Sequence, residues 1–206
     1  EVETVDFNAV PAQFAGMGGS KAVICHRNAT RQQMNREVRE CLGRGPGLEP
    51  GEPLLVLANN YNIDRFNGEV LEFGGWIERP RSSIAIRDRW KNISANVSYG
   101  VAQIENDQAV LSPDEVWGQT FGVGEKVIAR AGRSYAKKTF DLEEAPSHLN
   151  ANFGYALTCH KSQGSEWQDV IVVIENSLRS PYSYEWRRWV YTAITRAKES
   201  VKVAFQ

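Results

Sequence analysis

The 206-residue sequence is poor in cysteine, histidine and methionine, with 3, 3 and 2 of them. Cys25, Cys41 and Cys159 form no Cys-x-x-Cys pair, and their number is odd. That argues against a disulfide framework or a structural zinc site, and it fits a reducing compartment. Nowhere do about 18 apolar residues run together, so no membrane span is expected. The opening residues Glu1 to Asp6 have neither a basic start nor an apolar core, so no secretory leader is read there and the cytoplasm is the expected location. Neither sign of charge is in excess: 24 Lys+Arg stand against 25 Asp+Glu. A globally basic nucleic-acid binder is thereby excluded, but a local basic track is not. No Gly-Lys pair occurs anywhere, so the Gly-x-x-x-x-Gly-Lys-[Ser/Thr] loop that cradles phosphates is absent. Asp114-Glu115 has the look of a metal-holding carboxylate pair. It follows Ser112-Pro113 rather than a buried strand, and reads as a turn.

What is present is a globular composition, 42% hydrophobic and 24% charged. Residues 1–20 show little periodicity and read as a linker or frayed entry. Lys21 to Cys25 is a short apolar run suited to a buried strand. A helix is expected from about Thr30 to Leu42, with Met34, Val38, Cys41 and Leu42 on one face and Asn28 or Thr30 as its cap. Gly43, Gly45, Pro46 and Gly47 stop it.

From about Gly51 the texture changes. Pro53–Leu57, Glu69–Phe73, Gln108–Leu111 and Lys126–Ala129 are short strand-like runs. Asn59-Asn60, Asn67-Gly68, Gly74-Gly75 and Ser112-Pro113 separate them, which predicts a small antiparallel barrel or sheet. The α/β texture then returns. Tyr155 to Thr158 reads as a buried strand, and Val170 to Ile174 as a central parallel strand covered on both faces. Trp186, Trp189, Val190, Ala193, Ile194 and Ala197 mark one face of a helix, and Val201 to Phe205 a closing strand. The predicted organisation is an α/β domain over 21–50 and 145–206, interrupted by an inserted β domain over 51–144.

Polar groups crowd directly behind one strand, from Thr158 through Trp167. The carboxyl end of a strand is where ligands bind an open α/β sheet. His160, Lys161, Thr158 and Ser162 offer donors for phosphate, and Gly164 permits a tight turn. Glu166 can accept from sugar hydroxyls. The second segment is Val190 to Ala197, where helical spacing sets Arg188, Thr192 and Arg196 beside the apolar stripe. An arginine at such an edge can fork onto phosphate oxygens. Each residue taken alone also fits a bland reading, a capped loop or a solvated arginine. Two basic clusters with interleaved aromatics fall in the insertion: Arg79, Arg81, Arg87, Arg89 and Lys91 near Trp76 and Trp90, and Lys126 to Lys138 around Tyr135. They suit single-stranded nucleic acid by charge and stacking, or equally a solvated barrel surface.

Leu157-Thr158-Cys159-His160-Lys161-Ser162-Gln163-Gly164-Ser165-Glu166-Trp167 and Val190-Tyr191-Thr192-Ala193-Ile194-Thr195-Arg196-Ala197 resemble the last two motifs of superfamily 1 helicases, in the branch that includes RecD and Dda. Asn28 to Asn35 resembles a further motif of that family, departing at Arg27 and Arg31. Asn67-Gly68-Glu69-Val70 resembles the turn that opens its SH3-like insertion, with Leu71 in place of a glycine. The resemblance covers residues 21–206.

It implies a RecA-like domain of the P-loop NTPase type that lacks the P-loop and is interrupted by a small SH3-like β-barrel. This is the second of two such domains, in a piece of a longer protein. It implies ATP and Mg²⁺ as cofactors, held mainly by the first RecA-like domain. Arg196 matches the arginine that reaches the γ-phosphate. Glu166 matches the acidic residue near the nucleotide ribose, with Gly164 beside it, and Arg31 is a candidate second phosphate contact at a position that departs from the family pattern. Thr158 and His160 match positions that touch the DNA backbone, with Lys161 as an aid and Asn28 as a further candidate for the DNA track. Implied partners are single-stranded DNA, the first RecA-like domain of the parent chain, and a recombination or replication complex. By analogy the polarity is 5′-to-3′. The alternative is a binding module, derived from the helicase fold, that acts on nucleic acid or protein without ATP.

Overall fold

A computed structural model describes residues 2–45, 47–88, 93–111, 149, 151–178 and 183–206, with backbone alone for 80–88, 93–99 and 177. The chain divides into two compact units, residues 1–47 with 154–206 and residues 48–153.

The first unit is the expected parallel α/β layer. Its strands are β1 (Val2–Asp6), β2 (Lys21–Cys25), β8 (Ala156–Thr158), β9 (Trp167–Ile174) and β10 (Ala197–Phe205), ordered β1-β10-β9-β2-β8 and all parallel. β9 lies at the centre, and Val170 to Val173 are fully buried, as a continuous apolar run requires. Each such side chain stabilises the fold by about 1.5–3 kcal/mol. Helix α1 (Val10–Gly16) packs on α2 (Asn28–Cys41), and α2 packs on β2 and β8. Helix α3 (Tyr184–Ile194) packs on β9 and buries Trp189 and Ala193. Among the described residues, no helix is long and apolar enough to cross a membrane.

Residues 2–16 correct the expectation of a linker. Val2 to Asp6 pair in register with Val201 to Phe205, and α1 buries Val10, Pro11 and Phe14. The strand is an edge strand whose residues are nearly all exposed, so it carries no apolar alternation to read. Lys21 then fixes the end of α1. Its Nζ donates to the carbonyls of Phe14 and Met17 and lies 4.8 Å from the Phe14 ring centroid. A cation at a helix C-terminus satisfies its last carbonyls and complements its dipole.

The second unit is an antiparallel sheet, ordered β6-β5-β4-β3-β7. Its strands are β3 (Glu52–Val56), β4 (Val70–Asp88), β5 (Ile93–Ile104), β6 (Asp107–Leu111) and β7 (Ala151–Phe153). Leu54, Leu55, Phe73, Ile104, Leu111 and Phe153 form its core. β4 runs far past the expected Phe73. The Gly74-Gly75 pair read as a break is a register shift inside the strand, with Gly75 at φ +128°. Glycine is needed twice here, because a Cβ on Gly74 would meet the Gln103 side chain at 2.8 Å. The expected strand Lys126–Ala129, the Asp114-Glu115 turn and the basic run to Lys138 lie outside the described residues, as do the side chains of Arg81, Arg87, Arg89, Trp90 and Lys91. Arg79 is exposed on β4, and Trp76 meets Phe73 edge-on at 5.4 Å.

Candidate functional site

Strands β2 and β8 are neighbours, with Cys25 opposite Thr158. Their carboxyl ends therefore bring two segments together, the start of α2 and the loop 159–166. The loop is preformed by its own hydrogen bonds. The Thr158 carbonyl accepts from the amides of Lys161 and Ser162 at 2.8 and 3.0 Å, and the buried Ser162 hydroxyl donates to the Cys159 carbonyl at 2.9 Å. Gly164 has φ +88° with no atom near the place a Cβ would take, so its constraint is conformational rather than steric. His160 stands exposed, Lys161 half-buried and Thr158 buried.

Arg31 projects from the first turn of α2 and is only 6% exposed. Its Nη1 is buried without a hydrogen-bond partner among the described residues. Burial pushes its pKa down, and nearby Cys25 partly offsets this. Lys161 is also lowered, first by burial and then by Arg31 itself. Two cations thus crowd each other at the ends of β2 and β8. Asn28, the first residue of α2, is exposed at the same end.

Glu166 and Arg196 sit elsewhere. Trp167 pairs with Ala197, so both residues flank the amino ends of β9 and β10. The Trp167 amide donates to the Arg196 carbonyl at 2.9 Å. Arg196 is half-buried, and its Nε donates to the Thr192 carbonyl at 3.2 Å, which leaves guanidinium donors over. Glu166 makes an exposed ion pair with Lys198 at 3.5 Å, of a kind worth about 0–1 kcal/mol and easily exchanged. Loop 159–166 links the two groups of residues. Burial raises Cys159 to about 11, while Arg196 opposes that rise, and the Cys159 thiol faces the Trp189 carbonyl at 3.7 Å. The predicted residues therefore form two sets, one at each end of this loop: Asn28, Arg31, Thr158, His160 and Lys161, and then Gly164, Glu166 and Arg196.

Sequence reasoning missed two residues that hold this arrangement. Helix α2 has no side-chain cap of its own, since its N-cap is Arg27 rather than Asn28 or Thr30. The cap comes instead from Glu175, directly behind β9. Its Oε1 accepts from the amides of His26 and Arg27 at 3.1 and 2.9 Å, and its Oε2 from Arg27 Nε. The Thr30 side chain also bonds to it. A carboxylate behind a buried strand was the available signal.

The second residue is Asn35, fully buried on α2. Its Oδ1 accepts from the Ala156 amide at 2.9 Å, and its Nδ2 donates to the Ala156 carbonyl at 3.2 Å. One side chain thus pairs both groups of an edge-strand residue. Asn35→Leu is expected to cost about 1–3 kcal/mol, because those groups are then buried and unpaired. Thermal unfolding of the chain measures it, and Asn35→Asp should recover little, since a carboxylate cannot donate to the carbonyl.

Residues 153–204 match the UvrD-like helicase C-terminal domain family. The chain is 46% identical over 105 residues to the ATP-dependent RecD2 DNA helicase of Deinococcus radiodurans, covering 48% of this chain and 13% of that protein. It is 26% identical over 199 residues to the RecBCD enzyme subunit RecD of Mycolicibacterium smegmatis, covering 92% of this chain and 26% of that protein. The chain thus spans about a quarter or less of the relatives it matches. A crystal structure of Pif1 helicase from Candida albicans aligns with 96% of this chain and 48% of its own, at 12% identity and a TM-score of 0.45. Residues 153–204 are thus similar to a UvrD-like helicase C-terminal domain, and the chain is similar to part of RecD2 and RecD.

Proposed function

We propose that this chain is the second RecA-like domain, with an SH3-like insertion, of an ATP-dependent DNA helicase of the RecD type. The single observation that carries the reading is Arg31. An arginine only 6% exposed, with Nη1 buried and unpartnered among the described residues and a lysine nearby, is costly in the free protein. An anion that docks there removes the cost. Nucleotide and DNA phosphates are the anions that such cations suit, and the chain's relatives include proteins named as DNA helicases.

In this reading, Arg196 faces the phosphates of an ATP held mainly by the first RecA-like domain, and Glu166 and Gly164 border its sugar, while Arg31, beside Lys161 in the other set, makes a separate phosphate contact. Arg196 needs no proton exchange, because a guanidinium is always charged. It neutralises charge that grows on the transferring phosphoryl oxygens. Thr158, His160, Lys161 and Asn28 contact the DNA backbone. The residues fit a nucleotide but not its metal: among the described residues, no group of three or more His, Cys, Asp or Glu can hold an ion. In this reading the Mg²⁺ ligands lie mainly on the first domain.

Oligonucleotide binding tests the DNA half of the reading. Labelled oligo(dT) should bind the 206-residue chain weakly and with a steep salt dependence. Each phosphate contact removed from a single strand should lower the slope of log affinity against log salt by about 0.7. Lys161→Ala and His160→Ala are expected to weaken binding severalfold, and the slope should fall for Lys161→Ala. Unchanged affinity in both variants would remove these residues from the DNA path.

A further inference from the structure

The β3–β4 connection is not a slack loop. Asn60 and Arg65 bridge in an antiparallel sense, and Val56 and Gly68 close its base. Asn side chains brace it from inside: Asn59 Oδ1 accepts from the Asn67 amide at 2.8 Å, and Asn60 Oδ1 from the Asn62 amide at 2.9 Å. Arg65 then ties the hairpin to the β5–β6 turn through Asp107 at 2.5 Å and Glu105 at 3.7 Å.

This rigid hairpin presents two aromatic rings to solvent. Tyr61 is 78% exposed and Phe66 41%, with centroids 6.1 Å apart in an edge-to-face arrangement. The Asn59 amide holds the Tyr61 hydroxyl at 3.1 Å, so the ring is oriented as well as exposed. Such bracing is not needed to leave an aromatic in water. Pre-oriented, exposed aromatics are the residues that dominate protein interfaces.

The charge around them decides the occupant. Arg65 is taken up by its two carboxylates. Asp64 is exposed beside it, and Glu69 at the hairpin base has its Oε2 buried with no hydrogen-bond partner among the described residues. Among the described residues of the hairpin and the β5–β6 turn, Asp64, Glu69, Glu105 and Asp107 stand against Arg65, a balance that disfavours a nucleic-acid backbone even though bases can stack on tyrosine. We propose that the Tyr61–Phe66 tip docks a partner protein through a segment that carries arginine or lysine beside an apolar side chain. The cation then meets the acidic rim and the edge-to-face rings, and the apolar group covers Phe66. This surface is independent of the helicase reading, because it shares no residue with the phosphate and DNA positions.

A fluorescein-labelled peptide of about ten alternating leucine and arginine residues serves as the probe. It should bind the 206-residue chain in a salt-sensitive manner. Tyr61→Ser and Phe66→Ser should each weaken it about tenfold, with unchanged melting temperature, while His160→Ala leaves it unaffected. The matching leucine–glutamate peptide should not bind. Absence of binding by the arginine peptide, equal binding by the glutamate peptide, or full binding to both serine variants would overturn the proposal. So would binding of oligo(dT) that depends on Tyr61 and Phe66, which would make the tip a nucleic-acid platform instead.

Discussion

On the proposed reading, Arg31→Met makes the free chain more stable and sharply lowers ATP turnover by the full-length parent. The substitution keeps most of the side-chain volume and removes a charge that burial already disfavours, on a guanidinium whose Nη1 has no partner among the described residues. Replacing a buried charge by a well-packed apolar group is neutral or stabilising by about 1–4 kcal/mol. Relief of the repulsion on Lys161 adds to this and should raise the Lys161 pKa toward its ordinary value. For a chain of this size, about 1–2 kcal/mol corresponds to a few degrees in melting temperature. Lost ATP turnover in the parent, by about a hundredfold, completes the expected pattern. Opposite signs in stability and activity mark a group retained for a ligand. A drop in stability together with unchanged turnover would make Arg31 an ordinary structural residue.

Glu175→Ala should be strongly damaging to the fold of the first unit. The carboxylate is 1% exposed and receives two amides, the Arg27 guanidinium and the Thr30 side chain. Removing it strands those donors at the start of α2 and costs about 3 kcal/mol. Glu175→Gln should recover part, since an amide oxygen still accepts. Burial alone would raise the Glu175 pKa, but its donors outweigh burial and hold it below the ordinary carboxylate range. A depressed folded-state pKa contributes stability above the unfolded value and loses it as pH falls through the folded one. The wild-type chain should therefore lose stability as pH drops below about 4.3, and Glu175→Gln should flatten that acid limb. Melting curves taken from neutral pH down to about pH 3 measure both effects. An acid limb as steep in Glu175→Gln as in wild type would show that another carboxylate carries it.

The parts of the molecule that were legible in the sequence were those where one signal decided the outcome. Val170 to Val173 could hardly be anything but a buried strand, and the polar cluster behind Thr158 announced a loop at a strand end. The residues that secure that loop were not legible, because their meaning is spatial. Glu175 caps a helix 148 residues away, and Asn35 repairs an edge strand 121 residues away. Neither relation leaves a local pattern. β1 escaped because an exposed edge strand needs no apolar face, and β4 was cut short because paired glycines mark a bulge as readily as a turn. At the candidate site, the three motif matches named the residues, but their division between the ends of β2 and β8 and the amino ends of β9 and β10 follows only from strand register.

The catalytic half of the proposed reading turns on Arg196, whose substitution should not disturb the fold, since its guanidinium makes a single described hydrogen bond, to Thr192. The decisive measurement is single-stranded-DNA-stimulated ATP turnover by the full-length parent, as wild type and as Arg196→Ala, with the 206-residue chain alone beside them. The parent should turn over ATP, this chain should not, and Arg196→Ala should lower kcat by about 10³ or more with a far smaller change in KM. Turnover of the Arg196→Ala parent at the wild-type rate would contradict the account.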